Sequence, residues 1–317
     1  MVRPVQERDT GLRPFYEPED PKFDIIAIHG IGAHPDDTWV QKTEDGTKIN
    51  WLQNHEMLPA IVPNARIMRY GYPSAWFGSE MVSARVLDIA SSLLRALQFK
   101  RQECSDRPII FIAHCFGGVV LMRALSLSSH LKDDRRKVFE STMGIAFFST
   151  PFRGTTSDFT SRLVAAAVAK YEDEVDTSVL QTLGADDQLL EGIMTEFDAV
   201  RNEPNPPLVS CFTETVPSNI GALTGGEKDR LPYVVSPSSG RLDGVEKIVL
   251  NRNHFNINKF ESRDHQSFQE VEIQIRAMVK ATPGLMRARK ECNLPLSYPR
   301  PERGLLPWAE SKSDVCR

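Results

Sequence analysis

The chain has 317 residues, of which 41% are hydrophobic and 25% charged, with a formal net charge of -4. This is an ordinary globular composition, long enough for one large domain with insertions or two ordinary domains. The mild negative charge argues against a nucleic-acid or anionic-membrane footprint.

Five cysteines, Cys104, Cys115, Cys211, Cys292 and Cys316, show no CxxC or CxxH spacing, so neither a disulfide framework nor a zinc site is expected. The first residues lack the apolar h-region of a secretory signal, and no run of about 18 apolar residues occurs. A soluble, cytoplasmic protein without stable membrane insertion is expected.

Residues 1–21 hold four prolines and many charges and read as an N-terminal arm. FDIIAIHGIG is an apolar run of strand length closed by two glycines, and ARIMRYGY alternates like a second strand. SARVLDIASSLLRALQFKRQE has helical spacing. RPIIFIAH is a buried strand from which CFGGVVLMRALSLSSHL launches directly as a helix. STMGIAFFSTPFRG is a further buried strand. Residues 155–203 break the rhythm with two amphipathic helical stretches and read as an insertion. PPLVSCFTE and GVEKIVLNRNH are two later strands, HQSFQEVEIQIRAMVKA is a last helix, and 283–317 reads as a Pro- and charge-rich C-terminal extension.

Strands alternating with helices predict a mainly parallel sheet covered on both faces, with a core over 22–154 and 204–282. Function in such sheets gathers at the carboxyl ends of the strands. His29, Cys115, Thr150, Glu214 and His254 all follow predicted strands.

Ala113-His114-Cys115-Phe116-Gly117 fits small-x-nucleophile-x-Gly, the pattern of a strained turn between strand and helix. The next helix points its N-terminus at the thiol, which favours a thiolate and a developing oxyanion. The Phe116 N–H is one expected oxyanion donor. His-Gly-x-Gly after the first strong strand is placed for the second, with Ile31 as its donor, and Gly30 and Gly32 allow the backbone to approach the substrate. His29 and His34 read as structural. The general base must follow the elbow. His254 stands in the expected place after a late strand, ahead of His265; His130 is too near in sequence. Glu214, directly at a strand end, is the favoured acid, with Asp243 and Asp229 as competitors on the intervening loop.

These stretches together resemble the α/β-hydrolase superfamily, and more narrowly its serine-esterase/lipase-like branch, which includes GPI-inositol-deacylase-like domains and the esterase domains fused to fungal NACHT and ankyrin-repeat proteins. HGIGAHPDDTW, ARIMRYGYPS, IIFIAHCFGGVVLMRAL, GIAFFSTPFRGT, VSCFTETVPSN and NHFNINKF carry the likeness over roughly residues 23–265. It implies an α/β-hydrolase fold and triad roles for Cys115, Glu214 and His254; the insertion at 155–203 reads either as a helical lid over the strand ends or as a helical hairpin packed on the body. Two departures stand out: Cys115 occupies the place of serine, and Phe152 that of the histidine in TPHRG. His114, Tyr70 and Phe152 are expected to help bind substrate, and Arg69 to shape the site. The implied function is hydrolysis, through an acyl-cysteine, of an ester or thioester of a mostly apolar small molecule, free or carrier-bound. A place in fungal secondary metabolism rests on the resemblance alone. The rivals are an acyltransferase or cyclase using the same intermediate, and a non-catalytic binding module. No metal or organic cofactor is implied.

Overall fold

The apolar runs fold as strands and the amphipathic runs as helices. The computed structural model of the chain describes residues 3, 5–74, 82–171, 184, 188–221 and 230–292. After a 3-10 turn at Glu7–Asp9, its elements are β1 (Gly11–Tyr16), β2 (Phe23–Ile28), β3 (Val40–Lys42), β4 (Lys48–Asn50), α1 (Leu58–Ile61), β5 (Ala65–Gly71), α2 (Val82–Lys100), β6 (Ile109–His114), α3 (Phe116–His130), α4 (Arg136–Ser141), β7 (Thr142–Phe148), α5 (Ser157–Tyr171), α6 (Gln188–Arg201), β8 (Leu208–Glu214), β9 (Ser218–Asn219), β10 (Arg230–Leu231), β11 (Lys247–Leu250) and α7 (Gln266–Cys292).

Seven strands form one sheet in the order β1-β5-β2-β6-β7-β8-β11. Every neighbouring pair is parallel except β1 with β5. The central strands β6 and β7 are buried along their whole length, which is why they read as continuous apolar runs without alternation. Alternate side chains of β2 serve two cores. Ile26 and Ile28 pack with residues of α2, α3 and α6, while Ile25 and Ala27 pack with Trp39, Trp51, α1 and α7. The sheet is thus covered on both faces, as expected. Among the described residues no helix is long and apolar enough to cross a membrane.

Three local expectations change. The segment read as an arm carries β1, whose Pro14 sits beside a register irregularity. Proline is tolerated there because β1 is an edge strand, and the same proline masks the strand in the sequence. The last helix does not stop before Pro283: α7 continues through it to Cys292. Arg289 holds that end down, donating to the carbonyls of Glu140 (2.8 Å), Thr142 (2.8 Å) and Asn205 (2.8 Å). Those contacts offset the hydrogen bond that proline cannot make.

The inserted region splits. In α6, Leu190, Ile193, Phe197 and Val200 join the core that contains α3, so α6 belongs to the body. In α5, Phe159 and Leu163 pack instead with Ile220, Leu231, Val234 and Val235, and Phe255 leans on the same cluster. Residues 172–183 and 185–187, also assigned to the lid, lie outside the described residues, as does 293–317 of the extension.

Candidate active site

Cys115 stands between the last residue of β6 and the first of α3 at φ 53 and ψ -127. A side chain at positive φ is strained and persists only where its surroundings enforce it. The Cys115 N–H donates to Phe148 O (2.9 Å), which ties the turn to β7. Close approach explains the small neighbours. A Cβ on Gly117 would lie 2.4 Å from His29 O, and one on Gly118 would lie 2.1 Å from Thr150 Oγ1. A Cβ on Gly30 would meet that of Cys115 at 2.9 Å. The start of α3 is therefore pressed into the loops that follow β2 and β7. Cys115 is only 4% exposed, yet it lines a cavity of about 340 Å³ together with Ile31, His114 and His254.

The loops after β8 and β11 bring the second pair together across 40 positions of sequence. His254 Nδ1 donates to Glu214 Oε2 at 2.6 Å. Glu214 Oε1 accepts from the N–H groups of Val234 (2.8 Å) and Val235 (3.3 Å). The two loops are tied together: Thr215 N and Val216 N both donate to Arg252 O at 3.1 Å. His254 is fixed at its backbone as well. Its N–H donates to Ser218 Oγ (3.1 Å), and its carbonyl accepts from His114 Nε2 (3.0 Å).

Burial disfavours charge on His254, but the Glu214 carboxylate and then Cys115, which is also hydrogen-bonded to the ring, push its pKa up to about 10. Burial alone would raise the Glu214 pKa; the charge and hydrogen bond of His254 and the Val234 N–H lower it instead. Cys115 and His254 thus line one cavity, with Glu214 bonded to the far side of the imidazole.

The competing residues are engaged elsewhere. Asp243 is exposed and pairs with Arg153 at 2.9 Å. Asp229 lies outside the described residues. His265 Nδ1 accepts from Ser267 N (3.1 Å) at the start of α7, and His130 meets Ser126 O (2.7 Å) within α3.

The HGIG loop is shaped by His29. Tyr72 N donates to His29 Nε2 (3.2 Å), so the proton is on Nδ1, which donates to Gly30 O (2.9 Å). Burial lowers this ring's pKa to about 3, so it is neutral and structural, as expected. Gly32 N donates to Ser74 O (2.5 Å). Among the described residues, the Ile31 N–H has no backbone hydrogen-bond partner outside the helices and strands. The Phe116 N–H is one of the donors that a helix N-terminus cannot satisfy internally.

No family model matches the chain. It is 26% identical over 275 residues to Protein SERAC1 of Bos taurus, and 26% identical over 275 residues to that of Homo sapiens. Each match covers 82% of this chain and 40% of the relative, so the chain spans about 40% of the length of these curated relatives. Among solved structures, phospholipase PlaB from Legionella pneumophila in complex with thio-NAD superposes with a TM-score of 0.51 at 15% identity, covering 85% of this chain and 63% of that one. The Bacillus licheniformis lipase BlEst2 gives 0.47 at 15% identity, covering 88% and 97%. The chain has the α/β-hydrolase fold.

Within this fold not every expected site residue lies at the cavity. Gly32 and His114 line it beside Ile31, and Gly30 packs on Cys115 behind it. Tyr70 lines a different space of about 820 Å³ with Thr10, Asp88 and Ser92, and its hydroxyl donates to Ile89 O (3.2 Å). That larger cavity is lined by neither Cys115 nor His254. Phe152 is buried edge-on against Phe147, with ring centres 5.1 Å apart, and does not line the Cys115 cavity. Arg69 staples the arm to the HGIG region, donating to Asp36 Oδ1 (2.7 Å) and to Asp9 O (2.8 Å).

Asp9, His34 and Asp36 gather closely enough to hold a metal ion. Most of their polar atoms have protein partners, while His34 Nε2 is buried without a hydrogen bond, 3.3 Å from Asp9 Oδ2. Arg69 and Arg3 bind Asp36, Gln6 N donates to Asp9 Oδ2 (3.0 Å), and His34 Nδ1 accepts from Asp36 N (3.2 Å). Asn258 and Lys259 also line the Cys115 cavity and were missed by sequence reasoning. Their spacing from His254, about one helical turn, was the available signal.

Proposed function

We propose that this chain is a hydrolase that cleaves an ester or thioester of a mostly apolar acyl compound through an acyl-Cys115 intermediate. The observation that carries this reading is the buried line Glu214–His254–Cys115, ending on a strained thiol at a helix N-terminus beside a cavity.

His254 takes the thiol proton, and Sγ attacks the carbonyl carbon. The carbonyl electrons move onto oxygen, which accepts from the N–H groups of Ile31 and Phe116. The carbon–leaving-group bond then breaks as His254 returns the proton to the leaving atom. Water, deprotonated by His254, attacks the thioester; the C–S bond breaks and the thiol is restored. Glu214 holds the Nδ1–H tautomer and favours the imidazolium. The apolar cluster of α5 with Ile220, Val234 and Val235 adjoins Asn219 and Phe255 of the cavity, which supports α5 as a lid over the acyl group.

Sulfur favours a second outcome on the same intermediate, since a thioester passes its acyl group to amines and alcohols as well as to water. Intact-mass analysis after brief exposure to p-nitrophenyl butyrate and butyryl thioesters tests the reading. A butyryl adduct lost in Cys115→Ala is expected, and free butyrate as product selects hydrolysis. An amide or ester formed with an added amine or alcohol selects transfer. A Cys115 no more reactive than Cys104 or Cys292, and never acylated, leaves a binding module.

A further inference from the structure

The Cys115 cavity carries a charge for which acyl chemistry has no use. Lys259 lines it, half-buried. Among the described residues Lys259 forms no ion pair. Burial lowers its pKa, and Asp37 is the carboxylate that opposes the fall. Asp37 also lines the cavity, but its side chain is 56% exposed and lies 3.6 Å from Arg3 Nε. The field of Lys259 reaches His114, next to the thiol. The pKa of His114 is lowered foremost by burial and His254, and Lys259 adds to the fall.

Asn258 stands next to Lys259 on the same wall. Asn258 is fully buried and held at two atoms. Its Nδ2 donates to Thr38 O (2.8 Å), and its carbonyl accepts from Trp51 Nε1 (2.8 Å). That fixes Oδ1 as an acceptor, and it has no partner. Such a buried acceptor is costly unless something donates to it. One wall thus presents the Lys259 cation, with the unpaired acceptor buried beside it, while Ile31, Ala33 and Phe255 offer apolar contact.

We propose that the polar end of this cavity binds an anionic group of the substrate, a phosphate or a carboxylate, with Lys259 as its charge partner. The inference rests on the Cys115 hydrolase reading and narrows its substrates to acyl compounds that carry a negative charge.

Alkylation reads this charge without needing the substrate. The Cys115 thiolate displaces iodide from iodoacetate or from neutral iodoacetamide; the C–S bond forms as the C–I bond breaks. The full chain is labelled with each reagent, and the adduct on Cys115 is followed by peptide mass, with Cys104 and Cys292 as internal references. The iodoacetate-to-iodoacetamide rate ratio at Cys115 is expected to fall about five-fold or more in Lys259→Met, the scale of one charge in a partly screened cavity. Lys259→Arg restores it. Inorganic phosphate and acetate, at matched ionic strength, distinguish the two anion classes by which one better slows iodoacetamide labelling of the unaltered chain. An unchanged ratio in a Lys259→Met protein of normal melting temperature overturns the proposal. If that variant fails to fold, protection by neither anion overturns it. A Cys115 inert to both reagents overturns the hydrolase reading itself.

Discussion

Two buried ionic clusters sit at opposite ends of the same sheet. At the amino ends, Asp24 at the start of β2 is fully buried and surrounded by three arginines. Arg66 Nε donates at 2.8 Å, Arg107 at 3.3 Å, and Arg101 completes the set. Arg101 also donates to the carbonyls of Ser105 (2.7 Å) and Arg107 (2.6 Å). Both Asp24 oxygens are committed, and the cluster serves to hold strands and the end of α2 in register. At the carboxyl ends, Glu214 and His254 are as deeply buried, but their line ends on Cys115 at a cavity. Burial and charge alone therefore do not mark a reactive site. What supports the proposed reactivity of Cys115 is that its end of the sheet opens on a cavity, where the loops of a parallel sheet converge.

The sharpest way to break this contrast is Cys115→Ala. It is expected to abolish acyl adducts and to lower turnover of p-nitrophenyl esters to background, while the melting temperature stays near that of the unaltered protein. Next comes Glu214→Gln, which removes the carboxylate that holds the His254 tautomer. A loss of about 10²–10⁴-fold in the acylation rate is expected, measured by rapid-quench mass spectrometry. A loss below ten-fold would place Glu214 with the structural cluster.

Asp24→Ala should do the reverse. Leaving buried arginines unpaired costs about 3–5 kcal/mol in urea unfolding, while the folded fraction alkylates Cys115 at its usual rate. A slowed Cys115 in that variant would mean that the two ends are coupled.

Stability against pH sharpens the comparison further. The folded pKa of His254, about 10, lies above its unfolded value near 6.5. Its contribution is fully present below about pH 6.5 and is lost as pH rises through about 10. Glu214, with its pKa lowered from 4.5, contributes above that value and loses the contribution as pH falls. Urea midpoints of the unaltered protein should therefore decline across the alkaline window, and those of His254→Gln should decline less. The smallest effect expected is from Arg289→Ala, about 1–3 kcal/mol of stability from donors lost at the end of α7, with acylation untouched.

Much of the elbow was legible because its constraints are local. Gly117 and Gly118 stand two and three residues after Cys115, and nothing larger fits against His29 O and Thr150. The buried strands were legible for a similar reason, since a strand covered on both faces must be apolar throughout. Tyr70 and Phe152 lie off the Cys115 cavity because alternate residues of a strand and its following loop face different compartments, and residue type does not say which. β1 was hidden by Pro14, and the second half of α7 by Pro283. In both cases a neighbouring segment supplies what the proline withholds.

By itself the sequence determined a mainly parallel α/β sheet and a cysteine at a sharp strand-to-helix turn, because apolar runs and small residues at set spacings leave the backbone few alternatives. Only the tertiary structure decided that Glu214 rather than Asp243 meets His254, that α6 belongs to the body, and that Lys259 and Asn258 face the thiol's cavity. Those outcomes depend on how segments far apart in the chain pack and turn their side chains, and no local pattern records that.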